Sequence, residues 1–299
     1  MTQAPDASSW ILEGKTCLVT GATNGIGTET ALALAEQGAH VVISGRSAQK
    51  AEATRADIAR RSGNRNVDVL IADLSSLAEV RKLADSFLAS HPALHVLVNN
   101  AGVVNTERKL TVDGFEAMFA VNHLAYFLLT NLLLERMQES APARIVNVAS
   151  DAHMFGAIDW DDLQSERKFG GLPFVGGMRV YGASKLANIL FTRELARRIE
   201  GTGVTANCLH PGMVRTGLGQ NNGGVAATIA GLFMYPLALS PARGAETSVY
   251  LASSPEVAAA NGRYFARKRE SRLSSEARDA DAARRLWEIS AELVGLETA

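Results

Sequence analysis

The sequence predicts an α/β fold, with a doubly wound and mainly parallel sheet of about seven strands and helices on both faces. Three observations predict it. Short runs that are apolar throughout alternate with longer helical patterns, as strands buried on both faces require. A glycine-rich turn, Thr20-Gly21-Ala22-Thr23-Asn24-Gly25-Ile26-Gly27, follows the first run and opens the first helix. Polar residues then close several later runs, at the strand ends where open α/β sheets bind ligands.

Residues 16–20 (TCLVT) form the first strand, and 29–37 the first helix, stopped by Gly38. Residues 40–44 (HVVIS) are the second strand and 48–62 the second helix. A strand at 67–72 and a helix at 77–90 follow, then a strand at 94–99 (LHVLVN) and a long helix over 114–140. The fifth strand is 144–149 (RIVNVA), followed by a long helix over 180–200 and the sixth strand, 204–209 (VTANCL). A helix at 243–252 and a short strand at 262–265 close the pattern. No linker or repeat divides the chain, so residues 1–299 read as one domain. Within it, 153–179 reads as an insertion or lid and 213–240 as a substrate loop, with 219–224 as its hinge. Residues 267–299 read as a charged helical tail, its 267–285 portion a solvated helix face.

Composition narrows the function. A net charge of −1 over 299 residues argues against nucleic acid or a polybasic membrane role. The 47% hydrophobic content supplies a sizeable core. Cys17 and Cys208 lie in apolar runs and read as small buried side chains of a reducing compartment. Residues 1–9 lack the basic start and apolar run of a signal peptide, and the apolar stretch 225–239 is broken by Gly231 and Pro236. The expectation is a cytoplasmic protein with no membrane span. No His/Cys/Asp/Glu group has metal-ligand spacing; Asp159, Asp161 and Asp162 lack the glycine and glutamate of a calcium loop. The metal expectation is none. His123, His153 and His210 read as packing residues.

Tyr181 and Lys185, four apart at the head of a helix, share one helical face. A cation beside a phenol favours the phenolate and fits it for acid–base work. The turn at Gly21, Thr23, Asn24, Gly25, Ile26 and Gly27 presents backbone N–H groups to a pyrophosphate. At the end of strand two, Gly45 stands where a carboxylate would bind a ribose 2′-hydroxyl, and Arg46 follows. A guanidinium without a neighbouring acid favours a 2′-phosphate, so the cofactor expectation is NADP(H) in preference to NAD(H).

The GxxxGxG spacing, with Asp73-Leu74, Asn99-Asn100-Ala101-Gly102, Ser150 and Tyr181-xxx-Lys185 in order, resembles the short-chain dehydrogenase/reductase family over roughly residues 15–265. The resemblance implies a Rossmann domain with Asn122, Ser150, Tyr181 and Lys185 as its catalytic set. In that set Tyr181 moves the proton, Lys185 lowers its pKa and holds the nicotinamide ribose, Ser150 binds the developing alkoxide, and Asn122 holds a relay water. It further implies that Asp73 and Leu74 contact adenine and that Asn100, Ala101 and Gly102 line the cofactor cleft. The resemblance also implies that Pro211, Gly212, Val214 and Thr216 belong to a Pro-Gly loop at the nicotinamide. Ser150 and Tyr181 are 31 residues apart, wider than in ordinary members. The extra segment with Asp159-Trp160-Asp161-Asp162-Leu163, together with Ala282-Ala283-Arg284-Arg285-Leu286-Trp287-Glu288, is similar to the retinol-dehydrogenase-like branch.

Apolar residues fall on the substrate side: Met154, Phe155, Phe174, Met178, Met213, Leu218, Phe233, Met234 and Tyr235. Met154, Phe155, Met213 and Leu218 are the substrate-contact expectations. The leading expectation is therefore an NADP(H)-dependent oxidoreductase of a small hydrophobic alcohol and its aldehyde or ketone, with Tyr181 as general acid/base. A C=C (enone-type) reductase and a non-catalytic NADPH-binding sensor or scaffold are the alternatives. The family's usual dimer surface, the helices at 114–140 and 180–200, makes a homodimer the oligomeric expectation, with the insertion as an element able to cover it.

Overall fold

In a computed structural model of the chain, which describes residues 11–167, 169, 173–215 and 238–297, the first turn of the fold is β1 (Thr16–Thr20), α1 (Gly25–Glu36) and β2 (His40–Gly45). There follow α2 (Ala48–Ser62), β3 (Val67–Ile71), α3 (Leu77–Ser90) and β4 (Val96–Asn99). A helical stretch, α4, runs over Ala117–Glu139. Then come β5 (Ala143–Val148), α5 (Pro173–Arg198), β6 (Val204–His210), α6 (Pro241–Ser253), β7 (Tyr264–Ala266), β8 (Arg269–Glu270) and α7 (Ala280–Val294).

Among the described residues the strands form one sheet in the order β3-β2-β1-β4-β5-β6-β7-β8. All pairs are parallel except β7–β8. The chain winds outward from β1 in both directions, so β1 and β4 are neighbours whose connections leave on opposite sides. The crevice beyond their C-terminal ends is the ligand position of such sheets.

Alternation along the strands makes the two cores. Cys17, Val19, Val41, Ile43, Val96 and Val98 face α1 and α6, meeting Ala31, Leu34, Ala35 and Leu251. Leu18, Val42, Leu97, Ile145 and Ala206 face the other way, against Leu83, Phe87, Phe127, Leu190 and Phe191. Each fully buried Leu, Ile or Phe contributes roughly 1.5–3 kcal/mol. Cys17 and Cys208 are free and buried. α4 is long and apolar enough to cross a membrane, yet 78% of its apolar window is buried inside the fold. Its composition follows from packing between the sheet, α3 and α5.

Three elements differ from their sequence-based expectation. α4 starts at Ala117 and carries a π turn at Ala120–Leu124, which periodicity over 114–140 does not reveal. α5 starts at Pro173 instead of 180, inside the expected lid. Two glycines would normally weaken that first turn. Gly177 is retained because a Cβ there would strike the Asn105 carbonyl and come within 3.0 Å of Thr106 Cα. The tail is also different: α7 buries Leu286, Trp287, Ala291 and Val294 and is solvated on its outer face alone.

Candidate active site

The glycine turn is held closed by polar contacts from β1 and β4. The Thr20 hydroxyl accepts the N–H groups of Asn100 and Ala101 at 3.0 and 3.2 Å. Asn100 Nδ2 donates to the carbonyls of Thr20 and Gly21 at 2.9 and 3.2 Å. Tyr126 OH donates to the Ala101 carbonyl at 2.6 Å. Such contact leaves no room for side chains. A Cβ at Gly21 (φ +62°) would sit 2.7 Å from Ala101 Cα, and one at Gly27 2.5 Å from the Gly21 carbonyl oxygen. Gly25 also has positive φ.

A cleft of about 340 Å³ opens over this turn. Gly21, Thr23, Asn24, Ile26, Gly27, Arg46, Asp73, Leu74, Asn100, Ala101, Gly102, Ser150, Tyr181, Lys185, Pro211, Gly212 and Val214 all line it. Gly25 stands in the turn itself. Thr216 and Leu218 lie outside the described residues, as do Phe233, Met234, Tyr235 and the 219–224 hinge. Met154, Phe155 and Met213 are more than half exposed and do not line the cleft. The reason is local for the first two. They end the 3-10 turn Asp151–Phe155, which buries Ala152 and His153 and points the others outward.

Tyr181 reaches Ser150 through glycine. A Cβ at Gly182 would stand 2.7 Å from the Ala152 carbonyl, so only glycine lets α5 dock on the Ser150 turn. The Ser150 hydroxyl accepts the Ala152 N–H at 3.2 Å and hydrogen-bonds the Tyr181 phenol. Lys185 Nζ donates to the Val148 carbonyl at 2.8 Å and lies 5.7 Å from the Tyr181 ring centre. Asn122, in the π turn, is braced on both sides: its Nδ2 donates to the Val103 carbonyl and Ser184 Oγ, and its Oδ1 accepts the Val103 N–H. The Asn122 side chain and Lys185 Nζ meet at Gly102, where an added Cβ would be 3.3 and 3.6 Å from them. Expansion to a π turn thus seats a fully buried amide behind Gly102; Asn122 itself does not line the cleft.

The electrostatics depart from the sequence-based expectation in one respect. Burial pushes the Tyr181 phenol up to about 12, the Ser150 hydrogen bond opposing it, and pushes Lys185 down to about 7. Desolvation of the two buried groups outweighs the attraction between an ammonium and a phenolate. The resting pair is a neutral phenol beside a lysine that titrates near neutrality.

Several lining residues carried no sequence motif. Lys50 lies one turn into α2 and shares with Arg46 the end of the cleft beyond β2. Its signal was present: Ser47 caps α2, accepting the Lys50 N–H at 3.3 Å, which puts Lys50 at the helix start beside Arg46. His210 also lines the cleft. It accepts the Asp151 N–H on Nδ1 and sets Nε2 3.3 Å from the Asp151 carboxylate, which accepts the Tyr264 phenol at 2.6 Å. This linkage ties β6 and β7 to the turn carrying Ser150. His153, fully buried, points Nδ1 at the Ser150 carbonyl at 2.8 Å and packs edge-on against Tyr264. His123 is buried at the α4–α7 contact, 2.7 Å from Ser290 Oγ.

The cleft fits a nicotinamide dinucleotide. Its glycine turn is a cradle that any Cβ would fill, two cations stand at one end, and a phenol and lysine at the other. The chain is similar to several known proteins. The family model for short chain dehydrogenases matches residues 15–161 and 170–224. Human "Retinol dehydrogenase 13" is 44% identical over 291 residues, covering 96% of this chain and 86% of its own length. Mouse "Retinol dehydrogenase 12" is 44% identical over 286 residues, covering 96% and 88%. A crystal structure of an uncharacterized protein from Mycobacterium paratuberculosis superposes with a TM-score of 0.76 at 32% identity, over 99% of this chain and 100% of that one. The Pseudomonas aeruginosa RhlG/NADP active-site complex gives a TM-score of 0.67 at 27% identity, over 86% of this chain and 95% of that one. With its glycine cradle, its Ser150–Tyr181–Lys185 constellation and these relatives, the chain belongs to the short-chain dehydrogenase/reductase family, in the retinol-dehydrogenase-like branch.

Proposed function

We propose that this oxidoreductase interconverts a hydrophobic alcohol and its aldehyde or ketone with NADP(H), using Tyr181 as general acid and base. The observation that carries the reading is the buried Tyr181 phenol, hydrogen-bonded to Ser150 inside the dinucleotide cleft, with Lys185 one turn further along α5. When bound, the nicotinamide supplies the hydride for reduction and accepts it for oxidation.

The chain's own residues supply the rest. With its pKa at about 12, Tyr181 holds its proton throughout the neutral range and can release it to a carbonyl oxygen that is gaining charge. The Ser150 hydroxyl, held by the Ala152 N–H, can turn its own proton from the Tyr181 phenol to the same oxygen. Lys185, charged in part near pH 7, offsets negative charge on the phenol oxygen left behind. Asn122 fixes the Val103 backbone beside it and is the residue assigned to a relay water in returning that proton.

The preference for NADP(H) rests on the end of β2. Arg46 and Lys50 present two cations there, and Gly45 supports no acidic replacement because a Cβ at that position would run into the Thr23 side chain. The apolar class of substrate is an inference from the retinol dehydrogenases the chain resembles and from the exposed Met154, Phe155 and Met213 on segments that flank the cleft.

The test is turnover of purified protein with a panel of apolar aldehydes and ketones, with NADPH and NADH compared and the products identified. NADPH-dependent formation of the alcohol is expected, and Tyr181→Phe is expected to lower kcat by about 10²–10⁴-fold with little change in NADPH affinity. Unchanged kcat in that variant would remove Tyr181 from the mechanism. A saturated carbonyl product from an enone would instead mark C=C reduction.

A further inference from the structure

The sequence showed no metal-ligand spacing, but the fold brings His40, Asp68 and His91 together from positions 28 and 23 residues apart in the chain. His40 is the first residue of β2, Asp68 the second of β3, and His91 the cap that ends α3. All three stand at the end of the sheet where the strands begin, opposite the cleft, which lies beyond the strands' C-terminal ends. One oxygen, Asp68 Oδ2, lies 2.8 Å from His40 Nε2 and 3.1 Å from His91 Nε2. The three ligand atoms lie within 4.8 Å of one another.

The His91 ring is fixed by its surroundings. It is 4% exposed and stacks on Phe87 with centroids 4.7 Å apart and planes 19° apart. Its backbone carbonyl accepts a hydrogen bond from Arg136. Its Nδ1 faces the Phe87 carbonyl at 3.3 Å. A carbonyl only accepts, so Nδ1 carries the proton in the neutral ring, and Nε2 presents a lone pair to a carboxylate oxygen. Two acceptors that face each other need a cation between them, either a second ring proton or a metal ion. A ring nitrogen tied to a backbone carbonyl, with the other nitrogen aimed at a shared centre, is the arrangement of metal-bound histidines. On the open side Asp68 is half exposed, which leaves room for a water as fourth ligand. Arg55 lies near enough to feel the Asp68 charge, but its guanidinium is engaged by Glu52.

We propose that His40, Asp68 and His91 form a binding site for a divalent transition-metal ion of the Zn²⁺ class, which staples β2, β3 and α3 at the end of the sheet away from the cleft. Two imidazoles and one carboxylate suit Zn²⁺ in a tetrahedral site completed by water. Ligand atoms around such an ion stand about 3.3 Å apart at metal–ligand distances of about 2.0–2.1 Å. The two separations from Asp68 Oδ2, 2.8 and 3.1 Å, need to open by a few tenths of an ångström to admit it, and the third, between the two imidazole nitrogens, lies within 4.8 Å.

The experiment uses the full chain, stripped with a chelator and titrated calorimetrically with ZnCl₂, and separately with CoCl₂ followed by visible absorption. One saturable equivalent of Zn²⁺ in the low micromolar range or tighter is expected, with the intensified visible bands of four-coordinate Co²⁺. At about a hundredfold excess over the dissociation constant, the unfolding midpoint is expected to rise by about 5 °C. The double variant His40→Gln/Asp68→Asn is expected to weaken binding by at least about tenfold and lose the midpoint shift, while NADPH-dependent turnover stays as in the parent. Two results overturn the proposal: binding that persists in the double variant, or a parent protein with no saturable Zn²⁺ equivalent and no four-coordinate Co²⁺ spectrum. The second also decides the matter if the variant does not fold, and leaves His91 and Asp68 as a plain ion pair.

Discussion

At the scale of single residues, Lys185 carries the sharpest consequence, because it is buried and its charge is only partly offset. The Val148 carbonyl and the rings of Tyr126 and Tyr181 face its ammonium, yet burial still takes it down to about 7. The unfolded chain keeps the same lysine protonated to about 10.4. Between those values the unfolded state binds more protons than the folded one, so this group makes stability rise with pH through the window and adds no slope below it. Each pH unit is worth at most about 1.4 kcal/mol. Tyr181, shifted to about 12, keeps its proton in both states below pH ~10 and contributes nothing there. The difference in unfolding midpoint between the parent and Lys185→Met is therefore expected to move in favour of the parent from pH 7 to pH 9. Parallel curves would show that the ammonium is solvated in place. Arg46 and Lys50 carry a second consequence. Charge-assisted hydrogen bonds are worth about 1.5–3 kcal/mol each, so Arg46→Ala/Lys50→Ala is expected to raise KM for NADPH by at least about tenfold and to leave KM for NADH nearly unchanged. Equal losses for both cofactors would place the two cations away from any 2′-phosphate.

At the scale of elements, the sequence was most legible where one local rule acted alone. The apolar run of β1 and the bounds of α2 and α3 appear at their expected residues, the helix starts being fixed by Ser47 and Ser76, which each accept a helix N–H. The glycine turn was legible because its spacing is itself the chemistry: no other residue fits Gly21 or Gly27. What hid was whatever depends on a distant partner. The two extra turns of α5 fit because Gly177 can lie against the Asn105 backbone, and nothing near residue 177 announces residue 105. The π turn around Asn122 is paid for by Val103 and Ser184, neither of them neighbours in sequence. Helical spacing puts Lys185 beside Tyr181, 5.7 Å from its ring centre, but spacing says nothing about burial, and burial reverses the expected direction of the Tyr181 shift. His40, Asp68 and His91 follow the same logic: β2, β3 and α3 each deliver one ligand, so no motif is written locally.

For the whole molecule, the tail decides which surface is left to meet a partner. The family resemblance puts a dimer interface on α4 and α5, and a homodimer was the expectation from sequence. α7 lies across those two helices in the same chain. Trp287 packs edge-on to Phe127 at 4.8 Å and stacks with Phe191 at 5.8 Å, and Arg198 covers its other side at 4.4 Å. Ser290 meets His123 of α4 at 2.7 Å, and Arg193 of α5 donates to the Ala277 carbonyl at 2.8 Å just before α7. A second copy docking on α4 and α5 would have to displace Leu286, Trp287, Ala291 and Val294, each of which is buried. Loss of a buried tryptophan alone costs about 3–5 kcal/mol, and the new interface would have to exceed that before gaining anything. The full chain is accordingly expected to scatter light as a monomer of 31.8 kDa at micromolar concentration. Trp287→Ala, which loosens α7, is expected to shift the population towards dimer or aggregate as concentration rises. A parent protein with twice the monomer mass, unchanged by that substitution, would mean that association uses a different face and that α7 is not what keeps α4 and α5 apart from a partner.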